Sequence, residues 1–547
     1  MAQRRRHLHP WWWVLAAAPM AFLGLFFVWP LFEVLSRGLV VDGHLDAAGM
    51  WEVLTASRTA KVVATTVWLA ALGTAGAVLV GVPAAYALFR LTWRGQRAIR
   101  ALATVPFVLP TIVVAAAFSA LLRPSGLLGS FDLDQSVAAI AVALVFYNIA
   151  VVLRIVGGAW SAMDPSTLSA ARVLGASRWR AFRAVTLPAL TPAIASAAAI
   201  VFLFCATSFG VVLVLGGTRV STVETEIYLQ VNQFLDLRAA AVLSMLQLVI
   251  VGFTLWVANA TRRRRERALP SRRLDGTRPA TRRDAPVVIG IVFMVGLLLA
   301  APLYALVERS LRTSAGHGID HYVALFQQPG LAILPVPVWQ AAVNSLVTAA
   351  IAAAIATMLG VLVAYLVTRR SRRGAVLDML VMLPLGVSAV MVGLGLLLTL
   401  NRPIFGVTLG GSWWLVAAAQ AVVALPLVVR SIVPTARAID PRLRMAASAL
   451  GAGTWQIWRR VDWPMLRGAV GLSMGFAFAI ALGEFGATSF LARPTRPTLP
   501  TAIYRLLGRP GIENIGMAFA ASVLLAVLTA SVMMASERMR TQVGADL

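Results

Sequence analysis

A chain of 547 residues with 59% hydrophobic and only 13% charged side chains is not a stack of soluble domains, in which about 25% of residues are charged. The formal net charge of +26 does not mark a nucleic-acid partner, because the arginines sit in short clusters between long apolar runs. The single cysteine, Cys205, excludes an intrachain disulfide.

The N-terminal stretch MAQRRRHLHPWWWVLAAAPMAFLGLFFVWPLFEVL begins like a signal peptide, but its apolar run of about 25 residues exceeds a signal core and predicts a retained spanning helix. Arg4, Arg5 and Arg6 place the N-terminus in the cytoplasm. Apolar windows predict further spans near 62–89, 102–122, 136–161, 190–216 and 239–260 after the first at 11–35. A second set falls near 286–311, 343–368, 376–400, 414–438, 467–491 and 515–536. The fold class is thus an all-α integral membrane protein with about twelve transmembrane helices.

Alternating these spans places Arg90, Arg94, Arg97, Arg100, Arg369, Arg370, Arg372, Arg373 and the C-terminus on the cytoplasmic side. Arg493, Arg496, Arg505 and Arg509 are the exception, falling in the last external loop. The stretch TRRRRERALPSRRLDGTRPATRRD at 261–284 holds ten arginines and three acids and reads as a disordered cytoplasmic linker. It separates a first permease half, 1–260, from a second, 286–547, with the linker taken as 261–285.

The two halves repeat. A shift of 276 carries Asp164-Pro165 onto Asp440-Pro441, Ala170-Ala171 onto Ala446-Ala447, and Leu174-Gly175-Ala176 onto Leu450-Gly451-Ala452. It also carries Trp179 onto Trp455, Phe182 onto Trp458, Pro188 onto Pro464, Phe209-Gly210 onto Phe485-Gly486, and Tyr228 onto Tyr504. One offset held through so many unlike residues is a duplication. With an even number of spans in each half, the repeats run parallel.

Between the fourth and fifth spans of each half lies a polar segment, RVLGASRWRAFRAVTLPAL in one and SALGAGTWQIWRRVDWPML in the other. Asp164-Pro165 is a cap followed by a first-turn proline, and Gly175 stands where a helix ends. Trp179, Phe182 and Val185 then share one face of a second short helix, which Pro188 closes. Asp440, Gly451, Trp455, Trp458 and Pro464 repeat the plan. Such helices can rest on lipid headgroups, or lie in a groove of a partner. Two copies favour a partner with two equivalent grooves.

An alanine pair, a glycine, and a hydrophobic stretch ending in Leu-Pro or Trp-Pro resemble the "EAA" loop of ABC importer permeases. The matching residues are Ala170, Ala171, Gly175 and Pro188, then Ala446, Ala447, Gly451 and Pro464. The resemblance departs at the leading glutamate, where Ser169 and Met445 stand. It implies the type I permease fold, with the segments around 164–188 and 440–464 docking two copies of an ABC ATPase subunit. It also implies an extracytoplasmic solute-binding protein, a place in the cytoplasmic membrane of a bacterium, and no cofactor on this chain, ATP and Mg²⁺ being held by the ATPase. The fused form is similar to the thiamine and ferric-iron permeases, and the stretches at 204–230 and 482–507 are closer to the thiamine branch.

Lys61, in SRTAKVVA, belongs to no phosphate-binding loop, so a Walker-type site is not encoded. His317, Asp320 and His321 read as an exposed polar loop rather than a metal site. Asn148, Arg154 and Arg430 are expected near cytoplasmic helix ends, where arginine can reach the interface. Glu484 is the outstanding intramembrane charge, flanked by Gly483 and Phe485, with Ser208 and Phe209 at the matching places of the first half. A carboxylate there either lines a translocation path that favours a cationic solute, or holds the bundle together through an arginine or amide. A reading from another class is an ion-coupled secondary transporter with a six-plus-six repeat and Glu484 as its ion site.

Overall fold

The computed structural model describes residues 11–41, 43–103, 105–268, 277–314, 316–327, 334–368, 372–401 and 412–545. Arg4, Arg5, Arg6, Arg369, Arg370 and linker positions 269–276 lie outside them. Among the described residues ten helices are long and apolar enough to cross a membrane, or eleven if one pair bent by 98° is counted as a span. The protein is a helical, multi-pass membrane protein.

The difference from twelve straight spans lies in the third span of each half. In the first half, Thr111–Leu122 has only twelve residues and is preceded by the short turns Gln96–Leu102 and Val105–Val108. At 1.5 Å per residue it covers about 18 Å, short of a bilayer core of about 30 Å. The break falls at Pro110, extended at φ −57° and ψ 141°, since proline also drives the residue before it out of the helical region. In the second half Pro384 sits in the tight turn Leu383–Gly386, and Ser388 caps the next helix, Ala389–Leu400, by accepting from Met391 N at 3.1 Å.

The chain packs as two compact units. One comprises Gly38–Tyr322 and Pro510–Val523; the other comprises Met1–Arg37, Val323–Arg509 and Leu524–Leu547. In the first, Ser57–Ala85, Val137–Ser161, Leu187–Ala206 and Leu237–Ala268 pack together. In the second, Val338–Val367, Trp414–Ala438 and Trp463–Gly483 do the same. Their alanine and glycine faces allow backbones to approach closely, the usual basis of helix association where the hydrophobic effect is weak. The units are not the sequential halves. Trp11–Leu23 packs on Val338–Val367 of the second repeat, and Ala285–Leu311 packs on Thr111–Leu122 and Ser57–Ala85 of the first. The first helix of each repeat is thus exchanged in packing. Strand structure among the described residues is limited to three two-residue ladders.

Part of the linker is ordered, contrary to the expectation. Helix Leu237–Ala268 runs on into its first arginines, and beyond the undescribed stretch Arg278-Pro279 pairs in parallel with Leu91-Thr92. Arg278 donates to both oxygens of Asp284 at 2.8 Å and to Tyr86 Oη at 2.8 Å. Thr281 adds its amide at 2.9 Å and its hydroxyl at 2.6 Å to Asp284 Oδ2. The Arg278 hydrogen bonds hold the Asp284 carboxyl well below the usual carboxylate range. A depressed carboxyl contributes its stability above the unfolded-state value and loses it as pH falls through the folded-state value, so this latch stays intact at neutral pH. Asp284→Asn should speed amide exchange across 277–284 at neutral pH and leave exchange in Val137–Ser161 unchanged, as read by hydrogen–deuterium exchange.

Candidate functional site

Each repeated segment starts from a cap. Asp164 accepts from Ser166 N at 2.8 Å and opens Pro165–Val173; Asp440 accepts from Arg442 N at 2.9 Å and opens Pro441–Ala449. Both helices end on glycine in the left-handed region, Gly175 at φ +84° and Gly451 at φ +82°. Gly175 N reaches Arg172 O at 3.0 Å and Ala176 N reaches Ala171 O at 3.1 Å. Gly451 N to Ser448 O and Ala452 N to Ala447 O, both 3.0 Å, repeat it. This is the double-bonded Schellman ending, and its positive φ explains why the glycine recurs in both copies.

Beyond the bend the structure corrects the expected second short helix. Arg178–Ala181 runs through the π-turn Phe182–Thr186 into Leu187–Ala206 without a stop. Thr454–Ile457, the π-turn Trp458–Asp462 and Trp463–Gly483 do the same. Leu187 N bonds Phe182 O and Trp463 N bonds Trp458 O, five residues back. The widened turn accommodates Pro188 and Pro464, which lack an N–H and would otherwise press on the carbonyl four residues earlier. Each loop is thereby joined to a spanning helix by continuous backbone.

The tips are apolar and open. Leu174 is 87% exposed and Leu450 is 89% exposed, with Trp179 at 68% and Trp455 at 67%. Trp179 stacks on Phe182 at 5.7 Å between ring centres, and Trp455 on Trp458 at 5.0 Å. Exposed arginines surround them: Arg172, Arg180 and Arg183 in one copy, Arg442, Arg459 and Arg460 in the other. Ser169 and Met445, in the glutamate position, are exposed as well. The exposure of Leu174 and Leu450 was not anticipated, although their matched place before the glycine was a signal.

An ion pair distinguishes the second copy. Arg444 Nε donates to Asp462 Oδ1 at 2.7 Å, tying the second loop's helix to its π-turn. The matching positions of the first copy are Leu168 and Thr186. Asp462→Ala should cost roughly 1 kcal/mol locally, because Arg444 is partly solvated. Faster amide exchange over 441–449 with no change over 165–173 is the expected reading.

The fifth span is broken in both repeats. Helix Leu187–Ala206 stops at Thr207, and Gly210–Gly216 follows; Trp463–Gly483 stops at Glu484, and Thr488–Leu491 follows. Phe209 packs on Tyr228 and Phe485 on Tyr504, each with ring centres 5.5 Å apart. Glu484, 7% exposed, directs Oε1 to Ala487 N at 2.7 Å and Oε2 to Thr488 N at 3.0 Å. Of these path candidates, Phe209, Glu484 and Phe485 are buried, and Ser208 is half-buried. Gly393 of the bent third span lies against this break, where an added Cβ would sit 2.6 Å from Ala487 Cα.

Two acids in STVETEIYLQ were overlooked. Glu226, buried, takes Arg58 Nε at 2.7 Å and Gln230 Nε2 at 2.8 Å. Glu224, fully buried, takes Gln247 Nε2 at 3.0 Å, and that amide also reaches Ala206 O, the end of the broken helix. The charge in the first turn of Val223–Asn232, beside the Thr222 capping box, was the available sign. Asn148 is buried in mid-helix and donates to Leu144 O at 2.9 Å, whereas Arg154 and Arg430 are exposed. His321 is also buried, bonded to Arg312 O at 3.0 Å, whereas His317 and Asp320 are exposed as expected.

A duplicated helical bundle, with a structured loop passing straight into a broken spanning helix in each repeat, has the build of a two-copy transport permease. Residues 77–266 and 356–540 both match the family described as "Binding-protein-dependent transport system inner membrane component", and the chain belongs to it. It is an ABC importer permease. The thiamine transport system permease protein ThiP of Brucella abortus (strain 2308) is 26% identical over 514 residues, covering 91% of this chain and 90% of its own. ThiP of Escherichia coli (strain K12) is 27% identical over 536 residues, covering 93% of each. The molybdenum transport system permease protein ModB of the same strain is 36% identical over 196 residues, 33% of this chain and 85% of its own.

Proposed function

We propose that this permease carries thiamine across the cytoplasmic membrane, driven by two ATPase subunits seated on the loops at 164–188 and 440–464. The observation that carries the solute is likeness along the whole doubled chain to thiamine permeases. The molybdenum permease matches only a third of this chain, one repeat's worth. Ferric iron is the next solute to test.

In this reading both loops and both termini face the cytoplasm, ATP and Mg²⁺ stay on the ATPases, and a binding protein delivers solute from outside. Nucleotide-driven closure pulls the Schellman-capped helices toward each other. Because each loop continues into the fifth span of its repeat, the motion reaches the broken segments at 207–209 and 484–487 without a hinge between. Differential stabilisation of two states is then enough for alternating access.

The test is uptake of labelled thiamine at low external concentration in a deletion strain, its parent and the complemented strain. Uptake lost on deletion and restored on complementation supports thiamine. Unchanged uptake removes thiamine and moves ferric iron forward. Uptake that persists without any ATPase partner favours the ion-coupled alternative.

A further inference from the structure

The unit that includes Val323–Arg509 contains a cavity of about 480 Å³ at the end of Trp414–Ala438 opposite its 440–464 loop. Arg493, Arg496, Gln340, Asn344, Thr498 and Trp413 are among its lining residues. The two arginines are brought together by a tight turn in Arg-Pro-Thr-Arg, closed by Arg496 N to Arg493 O at 3.0 Å. Helix Val338–Val367 fixes that turn, through Asn344 Nδ2 to Pro497 O at 3.2 Å and Ser345 Oγ accepting from Leu499 N at 2.7 Å. The exposed turn that carries the two arginines is thus anchored to the helical scaffold.

No Asp or Glu lines this cavity, and among the described residues neither guanidinium is in an ion pair. Two like charges sharing one concave site repel unless an anion joins them. Both also stand against the charge bias of membrane proteins if the docking loops are cytoplasmic. The first repeat has Gly217 and Val220 at the matching positions, so the feature belongs to one repeat only.

We propose that this cavity is a phosphate-binding site: the guanidiniums engage a phosphate group, and the Gln340 amide and the second N–H of the Asn344 amide serve the remaining oxygens. The volume admits a small ligand. The phosphate comes either free in solution or from an anionic lipid headgroup, whose apolar part would lie against the partly exposed Trp413.

The full-length permease, purified in neutral detergent, is titrated with inorganic phosphate while its melting temperature is followed. A parallel sample in phosphatidylcholine nanodiscs is titrated with phosphatidylglycerol and read by native mass spectrometry. Arg493→Gln and Arg496→Gln are each expected to weaken binding roughly tenfold or more, the worth of one charge-assisted contact. Arg509→Gln, which is outside the cavity lining, should leave it unchanged. Saturation by phosphate alone assigns a free oxyanion, and saturation by the lipid alone assigns a headgroup. If neither saturates, or the Arg493→Gln/Arg496→Gln double variant binds as wild type with an unaltered unliganded melt, the proposal is overturned. Thiamine uptake is measured separately, so the two readings fail independently.

Discussion

Leu174→Asp combined with Leu450→Asp should abolish ATPase association and solute uptake while leaving the permease's melting temperature where it was. The two leucines, 87% and 89% exposed, are among the most exposed large apolar residues described. Each caps a helix end whose backbone bonds are closed by glycine and alanine rather than by the leucine side chain. Removing them therefore takes nothing from the core. A hot-spot anchor at an interface is worth about 2 kcal/mol or more, about thirtyfold in affinity, and a charge in its place is worse. Losing one anchor in each loop should push docking beyond measurable range. The readout is co-purification of the ATPase subunit, with a thermal melt as the folding control. If the loops merely rest on headgroups, the double variant will co-purify normally. Gly175→Val with Gly451→Val is the conformational counterpart. No heavy atom lies within 4 Å of a Cβ built at either glycine. The only penalty is positive φ on a β-branched residue, about 1–3 kcal/mol each, enough to redirect the tip without unfolding the span.

Much of this was open to reading in the sequence, and what was not has physical reasons. The offset of 276 residues located both capped loop segments, because caps and left-handed glycines are dictated by local backbone needs and survive duplication. Continuity through Pro188 and Pro464 was hidden. A π-turn is a shift in hydrogen-bond register, and proline read alone signals an end. The broken third spans were hidden differently: a hydropathy window averages over Pro106 and Pro110 and returns one apolar stretch. Ordering of 277–284 depends on Tyr86, which lies 192 residues from Arg278 in sequence. No local pattern reports such a partner. Exchange of the first helices between packing units is likewise a matter of long-range contact.

At the broken fifth span, Glu484→Ala should lower stability markedly, and Glu484→Gln should spare most of it. The carboxylate is spent on two backbone amides, Ala487 N and Thr488 N, in a setting almost without water. Alanine strands both donors, at about 1–3 kcal/mol for each buried group left unsatisfied. Glutamine keeps one carbonyl oxygen and the side-chain length, so one amide remains capped. Gly393→Val tests the same element from its neighbour. Its side chain would enter the backbone of Ala487, which cannot yield as a flexible side chain would. We expect that variant to melt lowest of the three. Uptake then separates the two roles open to Glu484. If its work is to hold the break, transport by Glu484→Gln follows its melting temperature and stays near wild type. If the charge also draws a cationic solute along the path, uptake falls at least tenfold with the melt preserved, a loss of about 1.4 kcal/mol that stability does not explain. Because both oxygens are already occupied by amides, the first outcome is the expected one.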